Sequence, residues 1–106
     1  MSTTRERLSN RRASTVFEFE LCGLRFTGSF SRFADGRVAE IFLQNHKPSS
    51  QSDCNARDAA VAASLALQHG CPLQALQRAV LREDDGSAST PLGAALDAIS
   101  RHEAAR

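Results

Sequence analysis

All six phenylalanines of this chain fall between residues 17 and 42, and beyond that point alanine and leucine supply most of the apolar side chains. Aromatic residues suit the pleated, half-buried surface of a strand, whereas alanine and leucine are strong helix formers. The partition therefore constrains the chain to strands first and helices second, an α+β order rather than an alternating one. A length of 106 residues matches one domain of common size.

The strands can be placed by their alternation. Thr15 to Leu21 puts Phe17, Phe19 and Leu21 on one face and Glu18 and Glu20 on the other. Cys22-Gly23 supplies a tight turn into a second strand from Leu24 to Phe30. On that strand Gly28 lies between Phe26 and Phe30 on their shared face, where a neighbour can approach closely. Ala34-Asp35-Gly36 is the next turn, and its Asp-Gly pair suits the positive φ values of a tight hairpin. Val38 to Leu43 forms a third strand, which completes an antiparallel meander with one wet face.

The helices follow from caps and breakers. Gln44 to Gln51 is a polar loop, and Ser52 or Asp53 caps a helix that continues to His69. Arg57, Ser64 and Gln68 form one narrow polar stripe on it with Val61 close by, while alanines and leucines occupy most of the remaining circumference. A helix this apolar is either central in the fold or part of a subunit contact. Gly70 stops it, and Cys71-Pro72 restarts a second helix with proline at N1. The buried side of that helix is read as Leu73, Leu76 and Val80, with Leu81 as a further candidate. Thr90-Pro91 opens a third helix through His102, with Leu92, Leu96 and Ile99 at helical spacing. The expected architecture is α+β, a three-stranded antiparallel meander followed by three helices packed on one face. Residues 1–13 are expected to be a flexible basic arm, 14–102 a single domain, and 103–106 a frayed tail.

Bulk properties narrow the setting. The net charge of +1 creates no field that would favour nucleic acid or an anionic membrane as partner. No run approaches the about 20 apolar residues of a membrane span, and no apolar core follows the N-terminal arginines as in a secretory signal. The three cysteines, Cys22, Cys54 and Cys71, are odd in number and nowhere spaced as CxxC. That pattern argues against a disulfide framework or a zinc knuckle and for a reducing cytoplasm.

Candidate chemistry is sparse. His46-Lys47, with the chain's one lysine, stands between the third strand and the helix capped near Asp53. Together with free helix N–H groups this trio could hold a phosphate, a nucleotide or a carboxylate; the competing reading is a solvated polar loop. Cys54 and Cys71 both fall near predicted helix starts, where the dipole favours thiolate, although small packing residues are the commoner outcome there. His69 has a sufficient role at its own helix C-terminus. Glu40, in an otherwise apolar strand, is expected on the solvated face. Arg11-Arg12-Ala13-Ser14 has the form of a short basic-directed phosphorylation motif. The chain contains no Walker loop, GxGxxG, nucleophile elbow or HExxH.

One ordered set of short motifs carries a family resemblance. It runs Asp35-Gly36-Arg37, Glu40-Ile41-Phe42, His46-Lys47, Ser64, Ala66-Leu67-Gln68-His69-Gly70 and Pro72-Leu73. This set resembles the TSCPD domain at the C-terminal end of adenosylcobalamin-dependent (class II) ribonucleotide reductases, in stand-alone form, across residues 14 to 100. The resemblance implies a link to deoxyribonucleotide metabolism through an enzyme family that uses adenosylcobalamin. It implies no cofactor and no metal for this chain, because the family's catalytic barrel and paired tail cysteines have no counterpart in it. The Thr-Ser-Cys-Pro-Asp string is absent as well, and no residue is assigned a catalytic role. The expectation is a non-catalytic accessory module that binds a protein, either a ribonucleotide reductase or a second copy of itself. The alternatives are a small-anion or nucleotide sensor using His46, Lys47 and the following helix N-terminus, and a cysteine-based redox protein.

Overall fold

The computed structural model describes residues 4–9 and 13–105. Three strands come first, β1 (Ser14–Leu21), β2 (Leu24–Arg32) and β3 (Val38–Asn45). Three helices follow, α1 (Gln51–Gln68), α2 (Leu73–Ala79) and α3 (Pro91–Ala104). The sheet is antiparallel in the order β1-β2-β3, so the expected meander and its following helices are the observed architecture. The basic motif expected at Arg11-Arg12 lies outside the described residues.

Turn chemistry explains the strand connections. Cys22 (φ 52°) and Gly23 (φ 79°) both adopt left-handed conformations, the signature of the two-residue turn that matches strand twist. The second connection is longer than the expected Asp-Gly hairpin. Gly36 (φ 97°) is left-handed, but Asp35 is not among the positive-φ residues. The Gly36 N–H donates to the Phe33 carbonyl at 2.9 Å and Phe33 N–H to Arg37 at 2.8 Å, and the β2–β3 register shifts beside them. This is a one-glycine turn closed by a bulge, and the Asp35 carboxylate is spent on the Arg37 N–H and guanidinium.

The core lies between one sheet face and the helices. Phe17, Phe26, Phe30, Ile41 and Leu43 meet Ala56, Ala60, Ala63 and Leu67 of α1 and Leu96 and Ile99 of α3. The Phe17 ring lies directly over Gly28, as expected of a glycine on that face. A Cβ on Gly28 would come within 2.7 Å of Phe17 Cε2 and 3.1 Å of Leu43 Cδ2.

Helix ends depart from expectation in three places. Ser50, not Ser52 or Asp53, caps α1, its hydroxyl accepting from the Asp53 N–H at 3.1 Å. Pro72 is the cap position of α2 rather than its first helical residue. Leu81 is exposed, so only Leu73, Leu76 and Val80 of that group join the core. Thr90 and Pro91 do open α3, with Thr90 Oγ1 accepting from the Gly93 N–H at 3.1 Å. Arg82 then ties α2 to α3 through two hydrogen bonds to the Asp97 carboxylate, at 2.8 and 2.9 Å.

Candidate functional site

Two members of the polar stripe of α1, Ser64 and Gln68, face inward with Asp53 against the free edge of β3, while Arg57 stays exposed. Because β3 is an edge strand, every second peptide group would otherwise be unpaired, and such edges need cover. Ser64 Oγ accepts from the Ile41 N–H at 2.9 Å and donates to the Ile41 carbonyl at 3.0 Å. Gln68 Nε2 donates to the Ala39 carbonyl at 3.1 Å, and Asp53 Oδ1 accepts from the Asn45 N–H at 3.0 Å. Three side chains spaced along one helix thus substitute for a fourth strand. The sequence signal was present in Ser64 and Gln68, but nothing local to the helix said which way they pointed.

Asp53 is a structural carboxylate at this junction. It is buried, and its second oxygen accepts from the Ser49 N–H at 3.0 Å while Arg57 Nε lies 3.1 Å away. The Ser49 and Asn45 N–H donors, helped by Arg57, hold its carboxyl below the usual carboxylate range. Ser49 itself is left-handed (φ 62°), a conformation that the Asp53 bond helps to secure.

The other expected site residues are not gathered into one cavity. His46 and Lys47 are both exposed. The His46 ring bonds to Thr27 Oγ1 at 2.8 Å, and the Lys47 N–H donates to Asn45 Oδ1 at 2.8 Å. They stand beside the first turn of α1, where the Asp53 carboxylate already balances the positive helix end. Cys54 is exposed in that same turn. Cys71 lies at the opposite end of α1, roughly 25 Å away along the helix. Its N–H donates to the Ala66 carbonyl at 2.9 Å and that of Gly70 to Leu67 at 3.2 Å, so Cys71 belongs to the Schellman closure of α1. Cys71 therefore sits just outside α2 rather than in its first turn, and its thiol donates to the Pro72 carbonyl at 3.7 Å. Among the described residues no group of three or more His, Cys, Asp and Glu side chains could hold a metal ion.

The most distinctive surface is the open sheet face. Cross-strand register aligns Val16, Ser29 and Phe42 in one row and Glu18, Thr27 and Gln44 in the next. Val16 (64% exposed) and Phe42 (56%) lie in the same groove as Val61 (59%) and Leu65 (40%) of α1. That groove has a volume of about 660 Å³ and runs between the sheet face and α1. Among the described residues, four of the six exposed large apolar side chains therefore share one surface. Arg5 borders it at one end, where it bonds the Gln68 side chain, and the next N–H, that of Glu6, donates to the Gln68 carbonyl at 2.7 Å. Glu40, expected on the solvated face, does lie there and accepts from Ser31 Oγ at 2.9 Å.

Fold and surface together define a small α+β domain with a helix-covered edge strand and an apolar groove on its open sheet face. Over 74 residues the chain is 35% identical to the vitamin B12-dependent ribonucleotide reductase of Agrobacterium fabrum (strain C58 / ATCC 33970). The match covers 70% of this chain and 6% of that enzyme, so the chain is similar to a small region of a much longer curated relative. No family model matches the chain, and no solved structure matches it. Among the described residues no helix is long and apolar enough to cross a membrane.

Proposed function

We propose that this chain is a TSCPD-type module linked to ribonucleotide reduction, acting by protein association rather than by catalysis of its own. The observation that carries the reading is the clustering of Val16, Phe42, Val61 and Leu65 on one open face. Isolated exposed apolar residues are ordinary, whereas a contiguous set rimmed by charge marks an interaction surface. Similarity to a region of the B12-dependent reductase supports the link to that reaction. The test is an NMR titration of the 15N-labelled chain, against its own concentration and against purified B12-dependent ribonucleotide reductase. Shifts or broadening at Val16, Phe42, Val61 and Leu65 in either series support association; a face silent in both refutes it.

A second reading, small-anion or nucleotide sensing, rests on the exposure of His46 and Lys47 immediately before α1. The Asp53 carboxylate opposes it by repelling an anion from the same helix turn.

A further inference from the structure

We propose that the free edge of β1 accepts an extended basic segment of a partner protein as an added strand, with lysine or arginine at alternate positions facing Glu18 and Glu20. This site lies at the far border of the sheet from α1 and is distinct from the groove, although Val16 belongs to both. The two-residue turn at Cys22-Gly23 makes Leu21 and Leu24 the hydrogen-bonded pair that closes the hairpin. Alternation along the ladder then directs the N–H and C=O groups of Thr15, Phe17 and Phe19 toward β2, and those of Val16, Glu18 and Glu20 away from it. The same alternation turns Arg25 of β2 toward β3, where the His46 N–H donates to its carbonyl at 3.0 Å.

The two borders of the sheet are treated differently. At β3 the outward groups of Ala39, Ile41 and Asn45 are answered by Gln68, Ser64 and Asp53. At β1 no hydrogen bond to the outward groups of Val16, Glu18 or Glu20 is present among the described residues. Nor does the strand carry the structural defences common at sheet edges. It is eight residues long, contains no proline and keeps register with β2 over its whole length. Its core-facing row is Thr15, Phe17, Phe19 and Leu21, with no charge among them, and Phe19 and Leu21 pack on the core while only half-buried. An added strand therefore continues both the hydrogen-bond ladder and the apolar face.

Charge selects the occupant. On the solvent face of β1, Glu18 and Glu20 stand exposed. Arg25 reaches Glu18 at 3.5 Å, with both side chains more than half exposed, and no ion pair to Glu20 is present among the described residues. Like charges directly opposite one another destabilise a strand pair, and opposite charges support it. β1 of a second copy, paired in the register centred on Glu18, would set that glutamate against its own equivalent. A strand with cations at alternate positions places one beside each carboxylate and turns its intervening apolar side chains toward Phe19 and Leu21.

An eight-residue peptide of alternating valine and lysine, matched to the length of β1 (about 27 Å), is the probe in an NMR titration of the 15N-labelled full chain. At millimolar peptide the Val16, Glu18 and Glu20 amides are expected to shift and to exchange more slowly with solvent. A valine–glutamate peptide of the same length is expected to bind roughly tenfold more weakly. Substituting both Glu18→Lys and Glu20→Lys is expected to reverse that preference with an unchanged circular dichroism spectrum. Glu18→Pro deletes one outward N–H without touching a ladder bond to β2, and is expected to weaken binding of the valine–lysine peptide several-fold. Unmoved Glu18 and Glu20 amides overturn the proposal, as does equal binding of the two peptides or a response to the chain's own concentration alone. Edge amides that stay silent while those of Phe42, Val61 and Leu65 answer the reductase overturn the edge site and leave the association reading in place.

Discussion

Replacing Ser64 by alanine removes the one side chain that answers both peptide groups of Ile41 at the edge of the sheet. Its hydroxyl accepts at 2.9 Å and donates at 3.0 Å, and Ile41 itself is buried. Each hydrogen bond contributes about 1 kcal/mol net, and a backbone group left without a partner costs about 1–3 kcal/mol where water cannot replace it. The adjacent groove admits some water to the half-buried Ser64, which favours the low end of that range. Alanine returns about 0.5 kcal/mol through its better helix propensity. The balance is a loss of about 1.5 kcal/mol, or a melting temperature lower by roughly 6–12 °C for a domain of this size. Thermal unfolding measures the total, and amide hydrogen exchange locates it. Ile41 is expected to lose protection by a larger factor than Leu96, which is packed in the core on α3. A melting temperature within about 2 °C of the parent, with unchanged exchange at Ile41, would refute the idea that α1 completes the sheet.

Gly28→Ala is expected to destabilise by about 1–3 kcal/mol through overpacking against Phe17, and Gly28→Val by more. Adding Phe17→Leu should recover part of the loss in denaturant titrations, and no recovery would refute the steric account. Asp97 is held below its ordinary pKa first by the Arg82 hydrogen bonds, and Asp53 by the Ser49 and Asn45 N–H groups. Depressed folded-state values mean that this stability is fully present above the unfolded carboxylate pKa of about 3.9 and disappears as pH falls through the folded values. Melting temperature measured from pH 6 downward should fall in that acid window, and Asp97→Asn should flatten the descent; an unchanged slope would remove Asp97 from the account. Millimolar phosphate or dNTP is expected to leave the melting temperature unmoved, because the Asp53 carboxylate occupies the helix turn beside Lys47. A rise that Lys47→Ala abolishes would establish the anion-sensing reading instead.

Much of the fold can be read directly from residue type. Alternation in β1 puts Phe17 on the core face, Cys22-Gly23 closes its hairpin, and the bare face of Gly28 receives an aromatic ring. Thr90-Pro91 opens α3 by the cap-and-proline device visible in the sequence. These are local matters of φ, hydrogen bonding within a turn, and side-chain period. The candidate site was less legible. Asp53 sits beside His46 and Lys47 in sequence, but its carboxylate is consumed by Asn45, Ser49 and Arg57. Cys71 precedes a proline that suggests a helix start, but its N–H closes the helix before it.

The sequence by itself determined the order of the elements and the residues that bend the chain between them, because those depend on each residue's own backbone preferences. Only the tertiary structure decided what the polar stripe of α1 was for. On an isolated helix Ser64 and Gln68 mark the side that faces water, and the alanines mark the side that is hidden. Ala56, Ala60 and Ala63 do stay hidden, but beside the uncovered edge of β3 the polar half of that logic reverses, since backbone N–H and C=O groups excluded from a strand partner need hydrogen bonds more than they need apolar cover. Ser64 and Gln68 turn inward to supply them, and Val61 and Leu65 are carried out to the open face beside Val16 and Phe42.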